Sequence, residues 1–227
     1  MNNLIQVAGI IDSDEAKMLM NLGVDYLGFP LRLPVNKDDL AEDEAVKVIK
    51  EIAPPHKAVL ITYLDKAAEI IRFCDKLNVH VVQIHGRIST RELKMIKINR
   101  PDIDIIKSLV VYNDNYSELE NMVLSLSEFV NYFITDTFDP VTGASGATGK
   151  IHDWKISRML VEISPKPLIL AGGLNPSNVR QAILQIKPAA VDVHTGVESS
   201  DGRKDFNLVK NFVNEANLAF AEFNSTP

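Results

Sequence analysis

The sequence predicts a (β/α)8 barrel, and two observations carry that prediction. Short apolar runs of the kind buried in parallel strands recur along the chain, and most are followed by amphipathic stretches with helical periodicity. Near the C-terminus, two such runs end in glycine, at Gly172-Gly173 and at Gly196. In (β/α)8 barrels, the loops after strands seven and eight frequently form a phosphate-binding site, so both observations favour the same architecture.

Eight strands are predicted in chain order, at residues 4–8, 24–29, 57–62, 79–84, 103–109, 129–135, 167–171 and 190–194. Amphipathic helices are predicted between them at 13–22, 41–52, 66–77, 90–98, 176–186 and 204–220. Ser13, Asp65, Ser89 and Asn175 are residue types that begin helices, and they stand near four of these starts. The segment after strand six, 139–150, is rich in glycine and threonine, which favours a long loop, with 143–149 as a lid over the site.

Length and composition favour one domain over residues 1–227, because no linker, low-complexity tract or charge run interrupts the alternation. The net charge of −6, with no basic stripe, argues against nucleic acid as a partner. No stretch is apolar enough over sufficient length to predict a membrane span. The single cysteine, Cys74, cannot form an intrachain disulfide, which favours the cytoplasm.

Several motifs together resemble the phosphoribosylanthranilate isomerase family of tryptophan biosynthesis. They occur in the family's order at VAGI 7–10, GVDYLGF 23–29, VVQIHG 81–86, ITD 134–136, GATGK 146–150, DW 153–154, AGGL 171–174, VDV 191–193, GVESS 196–200 and KD 204–205. The resemblance implies an Amadori rearrangement of a small phosphoribosylated amine. That reaction needs a general acid at the furanose ring oxygen and a general base at C2, and no metal or other cofactor.

The resemblance assigns the general acid to Asp136, at the end of strand six. The family's general base is a cysteine at the end of strand one, where this chain has Ala8. Another group could supply the base, the activity could have changed to a related reaction or to the binding of a sugar phosphate, or the residue could have been replaced to trap a complex. His194 is the candidate substitute if it faces the barrel mouth; alternatively it donates to a ligand phosphate or a neighbouring carboxylate. Asp12, just past strand one, is a second possible substitute, or else a loop or cap residue.

Substrate-binding candidates complete the prediction. The phosphate is expected at the glycine-bearing ends of strands seven and eight, and His85 is expected to shape the ligand site or to make a local hydrogen bond. The aromatic carboxylate is expected at Arg32 or Lys37, because the family's Ser-Pro-Arg pattern is absent from 30–40. The full set of predicted substrate-binding residues is Arg32, Lys37, His85, Gly172, Gly173, Asp192, Thr195 and Gly196. The sequence leaves the oligomeric state open.

Overall fold

Eight parallel strands close into a barrel in chain order in a computed structural model that describes residues 3–34, 39–112, 115–137 and 153–225. The strands are β1 Leu4–Ala8, β2 Tyr26–Pro30, β3 Lys57–Thr62, β4 Val81–Ile84, β5 Asp104–Val111, β6 Tyr132–Thr137, β7 Leu168–Leu170 and β8 Ala190–Val193. The helices are α1 Ser13–Asn21, α2 Glu42–Ile49, α3 Ala67–Leu77, α4 Thr90–Asn99, α5 Tyr116–Leu126, α6 Trp154–Ile163, α7 Val179–Ile186 and α8 Phe206–Ser225, with a short 3-10 turn at Thr195–Val197. The predicted (β/α)8 barrel is confirmed.

For two of the helices, α5 and α6, no bounds were predicted from the sequence. Their apolar periodicity is present in the sequence, since Leu119, Val123 and Leu126 share the buried face of α5. α6 begins where the Asp153 side chain accepts a hydrogen bond from the Lys155 backbone at 2.9 Å. The proposed loop at 139–150 and the lid at 143–149 lie outside the described residues.

Of the four predicted helix starts, only Ser89 caps a helix with its side chain, by accepting from the Glu92 N–H at 3.3 Å. Asp12 rather than Ser13 caps α1, because its carboxylate accepts from the Glu15 N–H at 2.8 Å. The residue before α3 is Lys66, not Asp65, and α7 begins after Asn178. Asn175 instead accepts from the Ser177 N–H at 2.9 Å, within the turn that precedes α7.

The side chains of each strand alternate between two apolar layers. On β1, Ile5 and Val7 belong to the large layer between the sheet and the helices, whereas Leu4 and Ala8 belong to the cluster inside the barrel. The same alternation recurs on β8, where Val191 and Val193 face the helices. The inner cluster is Leu4, Ala8, Tyr26, Val59, Ile61, Val81, Ile106, Tyr132, Ile134, Ile169, Ala171 and Ala190.

None of the helices among the described residues combines the length and apolar character needed to cross a membrane. The cysteine, Cys74, is buried on α3, where burial raises the pKa of its thiol to about 12. Its thiol therefore stays protonated at neutral pH, which fits a core residue rather than a nucleophile.

We expect Phe133→Ala to lower the free energy of unfolding by about 3–5 kcal/mol, because it would leave a cavity behind β6. Phe133 is fully buried, whereas Phe206 at the start of α8 is 51% exposed. Phe206→Ala makes the same chemical change at the surface and should stay within about 0.5 kcal/mol of the unmodified protein. Urea unfolding measures both variants, and equal losses would contradict the assignment of Phe133 to the core.

Candidate active site

The carboxyl ends of the parallel strands meet at one rim of the barrel, and a pocket lies there between β6, β7 and β8. It brings the predicted acid next to the predicted phosphate loops. Its lining residues are Asp136, Thr137, Ala171, Gly172, Gly173, Leu174, Asp192, Val193, His194, Thr195 and Gly196. Seven predicted site residues therefore line one pocket. An eighth, His85, contacts the pocket residue Asp136.

Glycine is required where the loops after β7 and β8 meet. Gly172 and Gly173 have φ angles of 99° and 64°, in the region that side chains other than glycine rarely adopt. At Gly196, an added Cβ would lie 1.9 Å from the Leu174 carbonyl oxygen, so the two loops pack backbone against backbone. The glycine-bearing strand ends thus form one continuous wall of the pocket.

The side chain of Asp136 is almost buried at the end of β6. One carboxylate oxygen accepts from the Thr137 N–H at 2.8 Å, and the other lies 3.0 Å from Nδ1 of His85. This second contact is within ion-pair distance but is not a hydrogen bond, so Nδ1 has no hydrogen-bond partner among the described residues. Nδ1 of His85 therefore lies beside the Asp136 carboxylate and makes no hydrogen bond to another described residue.

Two glutamines inside the barrel position His85. Nε2 of Gln6 donates to Oε1 of Gln83 at 2.7 Å, and the Gln83 amide lies 2.8 Å from Nε2 of His85. The Tyr63 ring stacks on the His85 ring at 5.4 Å between centroids. The local hydrogen bond expected for His85 is present, whereas Gln6 and Gln83 were not predicted as site residues. A glutamine at an inward position of an otherwise apolar strand is the signal that could have identified them.

Asp192 and His194 point into the barrel. Asp192 alternates along β8 with Val191 and Val193, which face the helices, and it shares a face with Ala190 of the inner cluster. His194 directly follows the strand and lines the same pocket. The sequence alone left this orientation open. This inward orientation places the carboxyl of Asp192 across from Gln6, its register partner on β1.

Burial raises the pKa of Asp192 to about 7. The negative charge of Asp136 acts in the same direction, while a hydrogen bond with Gln6 and the charges of His85 and Lys204 oppose it. Oδ1 of Asp192 has no hydrogen-bond partner among the described residues. The site therefore contains a carboxyl group that changes charge near neutral pH.

The His194 ring lies against the backbone at the end of β1. A Cβ added to Gly9, whose φ is 82°, would lie 2.1 Å from Nε2 of His194. Nε2 is also 3.3 Å from the Glu198 carboxylate, which Lys204 binds at 2.6 Å. Burial lowers the pKa of His194 to about 3, and the nearby positive charges of Lys204 and His85 add to this effect. The ring is thus uncharged at neutral pH.

Arg32 lies away from this pocket, in a separate cavity along α3. Its guanidinium binds the Glu42 carboxylate through two nitrogens at 2.7 and 3.2 Å and stacks 3.9 Å from the centre of the Phe73 ring. The other candidate for the aromatic carboxylate, Lys37, lies outside the described residues. The structure therefore does not bring Arg32 together with the strand-end pocket.

Among the described residues, no group of three or more histidine, cysteine, aspartate or glutamate side chains is arranged to hold a metal ion.

The chain is similar to a family of known proteins along most of its length. The family model for N-(5'-phosphoribosyl)anthranilate isomerase matches residues 5–215. The chain is 35% identical over 217 residues to N-(5'-phosphoribosyl)anthranilate isomerase 2 of Methanosarcina mazei, covering 95% of each chain.

The chain belongs to the N-(5'-phosphoribosyl)anthranilate isomerase family. The resemblance inferred from the motifs is thereby confirmed. The chain is also 34% identical over 209 residues to the isomerase of Methanothrix thermoacetophila, covering 92% of this chain and 95% of the relative.

Solved members of the isomerase family share the fold. The phosphoribosylanthranilate isomerase of Thermotoga maritima superposes with a TM-score of 0.79 at 29% identity, over 94% of this chain and 98% of that one. A second isomerase structure, solved in complex with reduced 1-(o-carboxyphenylamino)-1-deoxyribulose 5-phosphate, gives a TM-score of 0.77 at 27% identity over the same shares.

We expect Gly9→Ala to destabilise the protein more than Gly23→Ala. Both glycines have nearly the same φ, 82° and 84°, but only at Gly9 would the new methyl group collide with His194. Backbone strain alone should cost about 1–2 kcal/mol in each variant. Urea unfolding of the double variant Gly9→Ala/His194→Ala should recover the excess loss, whereas no recovery would show that the His194 contact is not responsible.

We expect Asp192→Asn to become more stable relative to the unmodified protein as the pH rises. The carboxyl ionises near its ordinary pKa of 3.8 when unfolded and near 7 when folded. Between about pH 4 and about pH 7 the unfolded state thus holds fewer protons, and the stability of the unmodified protein falls with rising pH. Denaturant unfolding across this range measures the difference, and a pH-independent difference would contradict the raised pKa.

Proposed function

We propose that this chain catalyses the isomerisation of N-(5'-phosphoribosyl)anthranilate in tryptophan biosynthesis. The observation that carries the proposal is one pocket in which the Asp136 carboxyl faces the glycine walls after β7 and β8. Membership of the isomerase family over residues 5–215 supports the same reaction. The reaction is an Amadori rearrangement, which converts an N-ribosyl amine into an aminoketose.

In this proposal Asp136 is the general acid. It protonates the furanose ring oxygen, the C1–O bond breaks, and the nitrogen lone pair forms a C=N bond at C1. The carboxyl lies at the end of a barrel strand, where this fold carries out its catalysis. His85, held by Gln83, lies beside the carboxylate that remains and stabilises its charge.

We assign the substrate phosphate to Gly172, Gly173, Thr195 and Gly196. Tight backbone packing at Gly196 and left-handed conformations at Gly172 and Gly173 support a preformed anion site. The family member solved with a reduced deoxyribulose 5-phosphate provides a phosphorylated ligand of the expected kind for comparison. Thr195 opens the 3-10 turn at this wall and supplies a hydroxyl group there.

Arg32 and Lys37 are the proposed partners of the aromatic carboxylate. Arg32 would have to exchange its two bonds to Glu42 for the substrate, which makes its contribution depend on a movement of the loop after β2. Arginine matches a carboxylate with two parallel donors, whereas lysine supplies a point charge. The location proposed for the enzyme is the cytoplasm, on the expectation drawn from its single cysteine.

We assign to His194 a hydrogen bond to the ligand phosphate or to a neighbouring carboxylate, rather than the role of general base. A ring whose pKa is lowered to about 3 accepts a proton poorly, so it is a weak general base at neutral pH. Its contact with Glu198 and its place in the pocket wall suit a hydrogen bond to the ligand or to that carboxylate.

We expect the purified protein to convert phosphoribosylanthranilate and Asp136→Asn to lose at least about 100-fold in kcat, because the amide cannot protonate the ring oxygen. Product affinity, measured by fluorescence or calorimetric titration, should change little, since the phosphate wall is intact. Asp104→Asn is the matched control, because Asp104 begins β5 at the opposite end of the barrel and pairs with Lys57. Unchanged turnover in Asp136→Asn would overturn its role, and no turnover by the unmodified protein would overturn the proposed function.

A further inference from the structure

The proposed reaction needs a second group, which removes the proton from C2 of the substrate. The end of β1 does not supply it, since Ala8 is buried in the inner cluster and its methyl group has no exchangeable proton. We propose that the carboxylate of Asp192 on β8 removes the C2 proton, as the partner of Asp136. This inference rests on the isomerase activity proposed above.

The position of Asp192 supports this role. Its side chain faces the inside of the barrel and lines the same pocket as Asp136 and the glycine walls. β7 lies between β6 and β8, so the two carboxyls approach the pocket from strands on either side of it. A sugar whose phosphate is held by the loops after β7 and β8 would therefore have a carboxyl group on each flank.

The hydrogen bonding of Asp192 leaves an oxygen for the substrate. Its side chain is half-buried at the end of β8, and its buried Oδ1 has no hydrogen-bond partner among the described residues. An unpaired buried oxygen is costly unless it serves a ligand. The side chain of Gln6, which faces Asp192 from β1, contacts the opposite wall through Gln83. Asp192 thus faces Gln6 on one side and lines the pocket on the other.

The charged groups around Asp192 suit proton abstraction near neutral pH. Asp136 faces it from β6, His85 from β4, and Lys204 from the segment after the 3-10 turn. Burial and the Asp136 charge raise the pKa of Asp192 to about 7, whereas Gln6, His85 and Lys204 limit the increase. A base with a pKa near the working pH combines a substantial ionised fraction with a strong affinity for the proton.

The proposed steps balance. After Asp136 has protonated the ring oxygen and C1=N has formed, the C2–H bond breaks and its proton goes to Asp192. The electron pair forms C1=C2, and the former C=N pair returns to nitrogen, which gives an enolamine. Asp192 then delivers a proton to C1 as the C2 hydroxyl loses its proton to Asp136 and becomes the ketone. Both carboxyl groups return to their initial states without any other reactant.

The test compares Asp192→Asn, Asp192→Glu and the control Asp104→Asn with the unmodified protein. We expect kcat of Asp192→Asn to fall at least about 100-fold while product affinity stays within about threefold, because the amide keeps the shape but cannot take a proton. Asp104→Asn should keep full activity. A kcat for Asp192→Asn within about threefold of the unmodified protein would overturn the inference.

Asp192→Glu provides a second readout that does not depend on the amide variant folding. It keeps a carboxylate in a shifted position, so turnover should persist at a reduced kcat, and proton removal should limit the rate. With substrate deuterated at C2, the isotope effect on kcat should then exceed that of the unmodified protein. An unchanged isotope effect would indicate a structural role for Asp192 and overturn the inference. Absence of turnover in the unmodified protein would instead overturn the isomerase proposal itself.

Discussion

Closure of the sheet is the constraint on which the site depends. In a closed eight-stranded barrel, every second side chain of each strand points into an interior that is filled by other side chains. Most of these positions are apolar, but toward the carboxyl ends they become Gln6, Gln83, Asp136 and Asp192. Buried polar groups must be hydrogen-bonded or shift their pKa, and this layer does both.

Each polar group in this layer is held by a neighbour from another strand. Gln6 on β1 reaches Gln83 on β4 across the barrel, and Gln83 holds His85 beside Asp136 on β6. A ring fixed in this way keeps its Nδ1 next to the carboxylate without a large loss of side-chain entropy on ligand binding. Gln6 also contacts Asp192, and burial raises the pKa of that carboxyl group to about 7. The same low-dielectric layer therefore contains one carboxyl group held beside His85 and a second one that titrates near pH 7.

The strands could be predicted because buried parallel strands are almost continuous apolar runs, and the glycine ends of β7 and β8 could be predicted because phosphate loops need backbone close to the ligand. The inward orientation of Asp192 and His194 could not, since alternation gives the period of a strand and not its phase. The contact between Gln6 and Gln83 joins residues 77 apart in the chain, and its prediction requires the closed barrel. The pairing of Arg32 with Glu42 likewise depends on the tertiary placement of Arg32 beside α2 and α3.

The proposed mechanism depends on Asp192 changing charge near neutral pH in a pocket that it shares with Asp136. The most direct measurement is a 13C NMR titration of protein labelled at the aspartate carboxyl carbons, with Asp192→Asn used to assign the Asp192 signal. We expect this signal to titrate with a midpoint near 7. A midpoint near the ordinary value of 3.8 would contradict it, because Asp192 would then be fully ionised at neutral pH and would be a much weaker base.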